Sequence, residues 1–261
     1  MTGPPLWVVE RGDARVYIFG VRPLMGPTPW LTPPVEAALG ESEAFWRETP
    51  PVEVLANDPL VAEHGLSSDV TLRARLDDAT YARVESVASG AGLDPETLQI
   101  FRPWLAGQVL RAAVYTPIYT GPTMDDILTD KAVELGQTID YEFPDAESII
   151  RLFSDLPEDV EADLLRMELD WLEPGPDAIR HRFERATAGD LSIEEEDATR
   201  VAAAYPELYR RLLTDRNRAW IPRIDTALEA KTTTFIAPGT MHLVGPDNVR
   251  ALLGDRIRQI A

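Results

Sequence analysis

Residues 232–245 read TTTFIAPGTMHLVG, and this stretch indicates a β-strand followed by a polar loop. Residues 232–237 are mostly β-branched or aromatic, which favours a strand, and Pro238 and Gly239 end it. Side chains in a loop at the carboxyl end of a strand commonly point into the crevice of an α/β sheet. His242 lies in this loop and is the centre of our candidate site, although it could equally bond only to a backbone turn.

Further strands are predicted on both sides of this stretch. They occupy residues 6–9, 14–19, 44–48 and 138–142, with a possible edge strand at 256–260. Helices are predicted at residues 35–39 and 124–135, and a last helix is expected to begin at residues 246–247. Two longer stretches also have a helical pattern: residues 68–113, with new helices starting near Asp94 and at Pro103, and residues 145–230, with breaks at residues 174–176 and near Gly189. Few strands separated by helices favour the α/β (α+β) class, with a mixed central β-sheet surrounded by helices and a helical insertion.

The length of the chain allows one large domain or two small ones. Its 261 residues contain no fixed-period repeat and no low-complexity linker. We therefore predict a single domain over residues 1–261, with the helical insertion within residues 60–120 or 145–230. The alternative is a helical subdomain that can be separated from the rest.

Charge and composition exclude several partners. The chain carries 25 basic and 44 acidic residues, a net charge of −19, which repels nucleic-acid phosphates and anionic lipids. No apolar run approaches the roughly 20 residues that span a bilayer. Residues 1–5 lack the pattern of a signal peptide, so we expect a cytoplasmic protein, or one whose signal has been removed. The chain has no cysteine, which excludes thiol chemistry.

Candidate site residues follow the predicted strands. His64 and His181 lie in a predicted loop and a charged helix, where we expect solvated side chains, whereas Glu48 and Glu142 end strands as His242 follows one. Three strands of one sheet can bring an imidazole and two carboxylates to one edge, which suits a divalent metal or general acid–base chemistry. The alternative is that both glutamates face water.

A predicted helix contributes two more candidates. Arg216 can clamp a carboxylate and Asn217 can orient a ligand, although a salt bridge is the simpler interpretation of Arg216. Asp125 begins another predicted helix, where it serves as a ligand or, as we favour, caps the helix.

These segments, taken in order, resemble the TraB/GumN family, which is related to the Tiki proteins and more distantly to the erythromycin-esterase and ChaN-like group. The segments that carry the resemblance are residues 16–20, 34–39, 45–48, 103–105, 124–128, 141–142 and 216–245. The family carries two Gly-x-x-His motifs. Gly239 to His242 matches the second motif, whereas Gly20-Val21-Arg22-Pro23 has proline in place of the first histidine.

The resemblance implies a peptidase-like, metal-dependent hydrolase acting on a peptide or small molecule. A divalent ion (Mn, Co or Zn) would be bound by Glu48 and His242, with Glu142 as ligand or base. Arg216 would stabilise the oxyanion, and Asn217 would complete the catalytic set.

Pro23 argues against this activity because its side chain can neither bind a metal nor move a proton. We expect weak or absent metal binding, or no metal at all, and a gain on Pro23→His. The alternatives are a catalytically inactive member that binds a peptide or small-molecule ligand, and a scaffold that uses the fold alone. Arg22 would place a positive charge where the ion would sit, provided that it is directed towards His242.

Overall fold

The computed structural model describes residues 3–50, 59–119 and 121–261. The chain divides into two units. The sheet unit comprises Met1–Pro50, Thr120–Pro144 and Arg182–Ala261, and the helical unit comprises Pro51–Tyr119 and Asp145–His181. That the helical unit is an insertion into a single domain stays a prediction.

The sheet unit contains a six-stranded mixed sheet, which confirms the predicted fold class. The strands are β1 (Leu6–Arg11), β2 (Ala14–Phe19), β3 (Ala44–Arg47), β4 (Thr138–Tyr141), β5 (Thr234–Ala237) and β6 (Ile257–Gln259). Their order is β4-β3-β5-β2-β1-β6. β1 pairs antiparallel with β2 and β6, whereas the pairs β2–β5, β5–β3 and β3–β4 are parallel. The predicted edge strand near the C-terminus is confirmed as β6.

The helices that lie in the sheet unit are Pro33–Gly40, Met124–Glu134, Ser192–Ala204, Pro206–Tyr209, Asp215–Ala230 and Val249–Leu253. Those of the helical unit are Pro59–Gly65, Asp78–Gly90, Pro103–Tyr115, Ala146–Ser154 and Glu158–Leu172, and the helix Pro176–Thr187 belongs partly to each. Side-chain caps define the first residue of several helices. For example, Asp77 caps the helix Asp78–Gly90 by accepting a hydrogen bond from the Thr80 amide. Among the described residues, no helix is long and apolar enough to cross a membrane.

Two predicted details are wrong. The last helix begins at Val249, because the Asn248 side chain caps it by accepting a hydrogen bond from the Ala251 amide. The segment predicted to start that helix is instead a turn in which Asp247 has a positive φ of 54°. His64 lies in the helix Pro59–Gly65 rather than in a loop, and it is half-buried instead of solvated.

The core of the sheet unit lies on both faces of the sheet, because successive side chains of a strand point to opposite faces. On one face Phe235 of β5 stacks on Phe45 of β3, with ring centroids 6.1 Å apart. On the other face Trp46 packs edge-on against Trp220 of the helix Asp215–Ala230, at 5.0 Å. This helix therefore lies over the strands whose carboxyl ends carry the candidate residues.

The helical unit is held together partly by buried charge. Its helices Pro103–Tyr115 and Glu158–Leu172 pack together, and Glu161, 1% exposed, accepts hydrogen bonds from the Trp104 amide at 3.2 Å and from Arg102 at 2.9 Å. Burying a carboxylate is tolerated only with such partners.

Candidate functional site

The carboxyl ends of three parallel strands meet at one edge of the sheet. Glu48 directly follows β3, Glu142 directly follows β4, and the turn Thr240–Leu243 follows β5. The register pairs Arg47 at the end of β3 with both Tyr141 and Ala237, so the three strands end at one level. The structure thus brings together Glu48, Glu142 and His242, and the neighbouring helix adds Arg216 and Asn217.

Arg216 connects the two glutamates. Its Nε donates to Glu142 Oε1 at 2.9 Å and its Nη2 to Glu142 Oε2 at 2.6 Å, a bidentate ion pair. The same Nη2 also donates to Glu48 Oε2, and Nη1 donates to the Leu212 carbonyl at 2.9 Å. The guanidinium packs beside the rings of Phe143 and Trp220 and is 13% exposed. Arg216 therefore forms a salt bridge, which was the simpler interpretation of this residue from the sequence, and it pairs with two acids rather than one.

His242 is held between Asn217 and Glu48. The Asn217 amide group donates to the Asp247 carbonyl at 2.9 Å, which leaves its Oδ1 facing His242 Nδ1 at 2.6 Å. Because this oxygen can only accept, Nδ1 carries the proton. Nε2 is then the nitrogen that can accept a proton, and it lies 3.4 Å from Glu48 Oε2. This arrangement is that of an oriented general base.

Burial and neighbouring charge set the protonation states of the site. Burial lowers the pKa of His242, and the facing Glu48 only partly offsets this effect, so the ring is neutral at pH 7. Burial alone would raise the pKa of Glu48, but the charge and hydrogen bond of Arg216, and those of His242 whenever its ring is protonated, hold it well below its usual range. Glu48 is therefore ionised, and the Gly239 amide donates to its other oxygen at 2.5 Å.

The first motif lies beside the second. Val21 bridges Gly239 in parallel, and the Val21 amide donates to the Pro238 carbonyl at 2.8 Å. Arg22 donates to Thr240 Oγ1, two residues before His242, and makes no hydrogen bond to His242, Glu48 or Glu142. The positive charge that lies between the two carboxylates is therefore that of Arg216, whereas Arg22, which we expected to place its charge at the ion position, bonds to Thr240 and the Gly20 carbonyl instead.

Asp125 is not the helix cap that we favoured. Thr123 caps the helix Met124–Glu134 and forms a capping box with Asp126, because these two residues have the spacing that a capping box needs. Asp125 instead pairs with Arg47, which is 2% exposed. Burial raises the pKa of Asp125, and Arg47 only partly opposes that rise.

The residues present do not fit a divalent ion. Among the residues that the structure describes, no group of three or more histidine, aspartate or glutamate side chains is arranged to hold a metal. All four carboxylate oxygens of Glu48 and Glu142 accept hydrogen bonds from protein donors. A metal would have to displace Arg216 from both acids.

Sequence reasoning missed the groups that hold His242 in place. The Gly239 amide and the Asp247 carbonyl bind through the backbone, which no side-chain pattern marks. Trp220 packs against the imidazole, with ring centroids 4.3 Å apart. In the sequence, the only sign of this contact was that Trp220 lies among the regularly spaced apolar residues of the predicted helix.

Gly245 ends the loop that carries His242, and we expect Gly245→Ala to lower the free energy of unfolding by about 2–3 kcal/mol. Gly245 has a φ of +74°, and an added Cβ would lie 2.4 Å from Ala198 Cβ and 3.0 Å from Tyr209 Oη. Gly136→Ala is the matched control, because Gly136 has a φ of +71° and open space around it. Urea unfolding of both variants measures the difference; equal losses would show that crowding around Gly245 contributes nothing.

A model of the TraB/PrgY/gumN family matches residues 5–258, nearly the whole chain. The match confirms the resemblance that the motifs predicted. Neither the curated proteins nor the solved structures include a match to the chain.

Proposed function

Because the chain belongs to the TraB/PrgY/gumN family, we propose that it binds a peptide or small-molecule ligand at the carboxyl edge of the sheet without metal-assisted turnover. The observation that carries this proposal is the position of Arg216. Its guanidinium lies between Glu48 and Glu142 and supplies the positive charge that a metal would otherwise bring to two carboxylates.

The composition of the site supports the same proposal. It holds one imidazole, from His242, and Pro23 stands where the first motif of the family has a histidine. Arg216 already donates to a protein acceptor from each of its nitrogens, so stabilising an oxyanion would require it to leave Glu142 or Glu48. Metal binding and oxyanion stabilisation would therefore both break the ion pairs that hold the site together.

One observation favours a second candidate, a hydrolase that works by general base catalysis. Asn217 orients His242 so that Nε2 can take a proton, and Glu48 lies beside it to stabilise the resulting imidazolium. In this candidate His242 would activate water or a hydroxyl group. Hydrolysis of a peptide library that persists in the presence of a chelator and is lost in His242→Ala would favour this candidate over simple binding.

We expect the purified wild-type chain to hold no stoichiometric Mn, Co or Zn after incubation with each ion and gel filtration. Pro23→His should gain an ion only when Arg216→Gln frees the two carboxylates at the same time, since two carboxylates and two imidazoles are then available as protein ligands. Elemental analysis measures the ion content, and circular dichroism confirms folding. One tightly held ion per wild-type chain, lost in His242→Ala, would refute the proposal.

A further inference from the structure

We propose that Arg22 is the recognition point for a carboxylate group of the ligand. This inference rests on the proposed function and deepens it by naming the chemistry of the ligand. The observation that carries it is a deeply buried guanidinium with one nitrogen unpaired.

Arg22 is 6% exposed, so its charge lies almost wholly out of water. Its Nε and Nη2 donate to Thr240 Oγ1 at 3.2 Å and 2.8 Å, and Nη2 also reaches the Gly20 carbonyl at 3.5 Å. Its Nη1 is buried and has no hydrogen-bond partner. A buried donor without a partner is costly, and in native proteins it calls for an explanation such as a ligand.

Among the described residues, one other arginine is buried to this degree, and it has carboxylate partners. Arg47 pairs with both Asp125 and Asp126. Arg22 forms an ion pair with no described carboxylate and is held only by a hydroxyl and a carbonyl oxygen. Although burial lowers the pKa of Arg22 to about 10, the group stays cationic at neutral pH.

Arg22 is placed at the edge where the candidate site lies. It directly follows Val21, which extends β2 and bridges Gly239 at the start of the turn that carries His242. The Thr240 hydroxyl donates to the Val21 carbonyl at 3.1 Å, so its lone pairs are turned towards Arg22. The guanidinium is thereby oriented before a ligand arrives, which reduces the entropy lost on binding.

The surrounding charge favours a carboxylate over a phosphate. Glu194 is 4% exposed, and its negative charge acts on Arg22, raising the Arg22 pKa against the effect of burial. Arg182 donates to one Glu194 oxygen at 3.4 Å, and the other oxygen is buried without a partner. Because the negative charge of Glu194 repels any anion at Arg22, it opposes a doubly charged ligand such as phosphate more strongly than a singly charged carboxylate. The planar guanidinium matches the geometry of a carboxylate.

Calorimetric titration of the full chain tests this inference with four probes: sodium acetate, N-acetyltriglycine, the C-terminal amide of N-acetyltriglycine, and inorganic phosphate. The variants are Arg22→Gln, which keeps a hydrogen-bonding group without the charge, and Arg11→Gln, a control at an exposed ion pair with Glu229. We expect at least one carboxylate to bind the wild type and Arg11→Gln, and Arg22→Gln to weaken binding about 10- to 100-fold. The amide and phosphate should bind more weakly than the carboxylates.

Tighter binding of N-acetyltriglycine than of acetate would identify the end of a peptide as the source of the carboxylate, and the reverse would identify a small free acid. Failure of both carboxylates to bind, equal binding of the amide, or unchanged binding by Arg22→Gln would overturn the inference. Thermal unfolding gives a second readout, since Arg22→Gln should melt at or above the wild-type temperature. A melting temperature several degrees lower would assign Arg22 a structural role and overturn the inference.

The two proposals fail separately. A chain that holds a metal yet binds carboxylates through Arg22 would refute only the proposed absence of metal-assisted turnover. A chain that holds no metal and does not bind carboxylates would refute only the role of Arg22.

Discussion

Replacing Arg216 with methionine should lower the free energy of unfolding by about 3–5 kcal/mol. Methionine fills much of the same space but leaves Glu48 and Glu142 largely buried, with exposed side-chain fractions of 23% and 13%, and without their common cation. Desolvated carboxylates that face each other without a positive charge are strongly unfavourable. Urea unfolding followed by circular dichroism measures the loss.

Two controls separate this effect from a general loss of charge. Arg210→Met removes an arginine of similar connectivity that is 46% exposed and pairs with Glu207 and Asp215, so its cost should be at most about 1 kcal/mol. Adding Glu48→Gln and Glu142→Gln to Arg216→Met should recover most of the lost stability, because the uncompensated charges are then gone. If Arg216→Met costs no more than Arg210→Met, the ion pairs do not stabilise the site.

Phe235→Ala should also destabilise the chain by about 3–5 kcal/mol. Phe235 lies in β5 between β3 and β2, is fully buried, and contacts the rings of Phe45 and Phe19, with centroids 6.1 Å and 6.2 Å away. Its removal leaves a cavity in the middle of the sheet, where the parallel strands that align the site leave little room to collapse. Unfolding in urea measures this loss as well.

Val133→Ala is the matched control, since Val133 is 61% exposed and its truncation should change stability by no more than about 0.5 kcal/mol. A loss below about 1 kcal/mol for Phe235→Ala would contradict the assignment of this ring to the centre of the core.

The strands and the meeting of three candidate residues were predictable from sequence. Parallel strands end at a common edge, so acids that end strands 44–48 and 138–142 were expected near His242, and the structure places them there. This prediction needed only the direction and order of the strands. Strand bounds differ by a residue or two, as at β5, which begins at Thr234.

The bonding within the site was not predictable. Arg216 reaches both glutamates from the first turn of its helix, and a π-helical turn, Arg210–Thr214, directly precedes that helix. No pattern of apolar residues marks such a turn. Asp125 was likewise assigned to a cap because its partner, Arg47, lies 78 residues away in sequence and the pairing depends on tertiary structure.

The order of the strands also protects the chain from aggregation. The apolar strands β1, β2, β5 and β3 occupy the inside of the sheet, and the two edges belong to the short strands β4 and β6. Asp140 and Arg258 lie on these edges with exposed fractions of 63% and 61%. Short edges with exposed charges discourage pairing with a second molecule. The three residues of β6 thus shield the open backbone of LWVVER in β1, the kind of segment that would otherwise template intermolecular β-sheet.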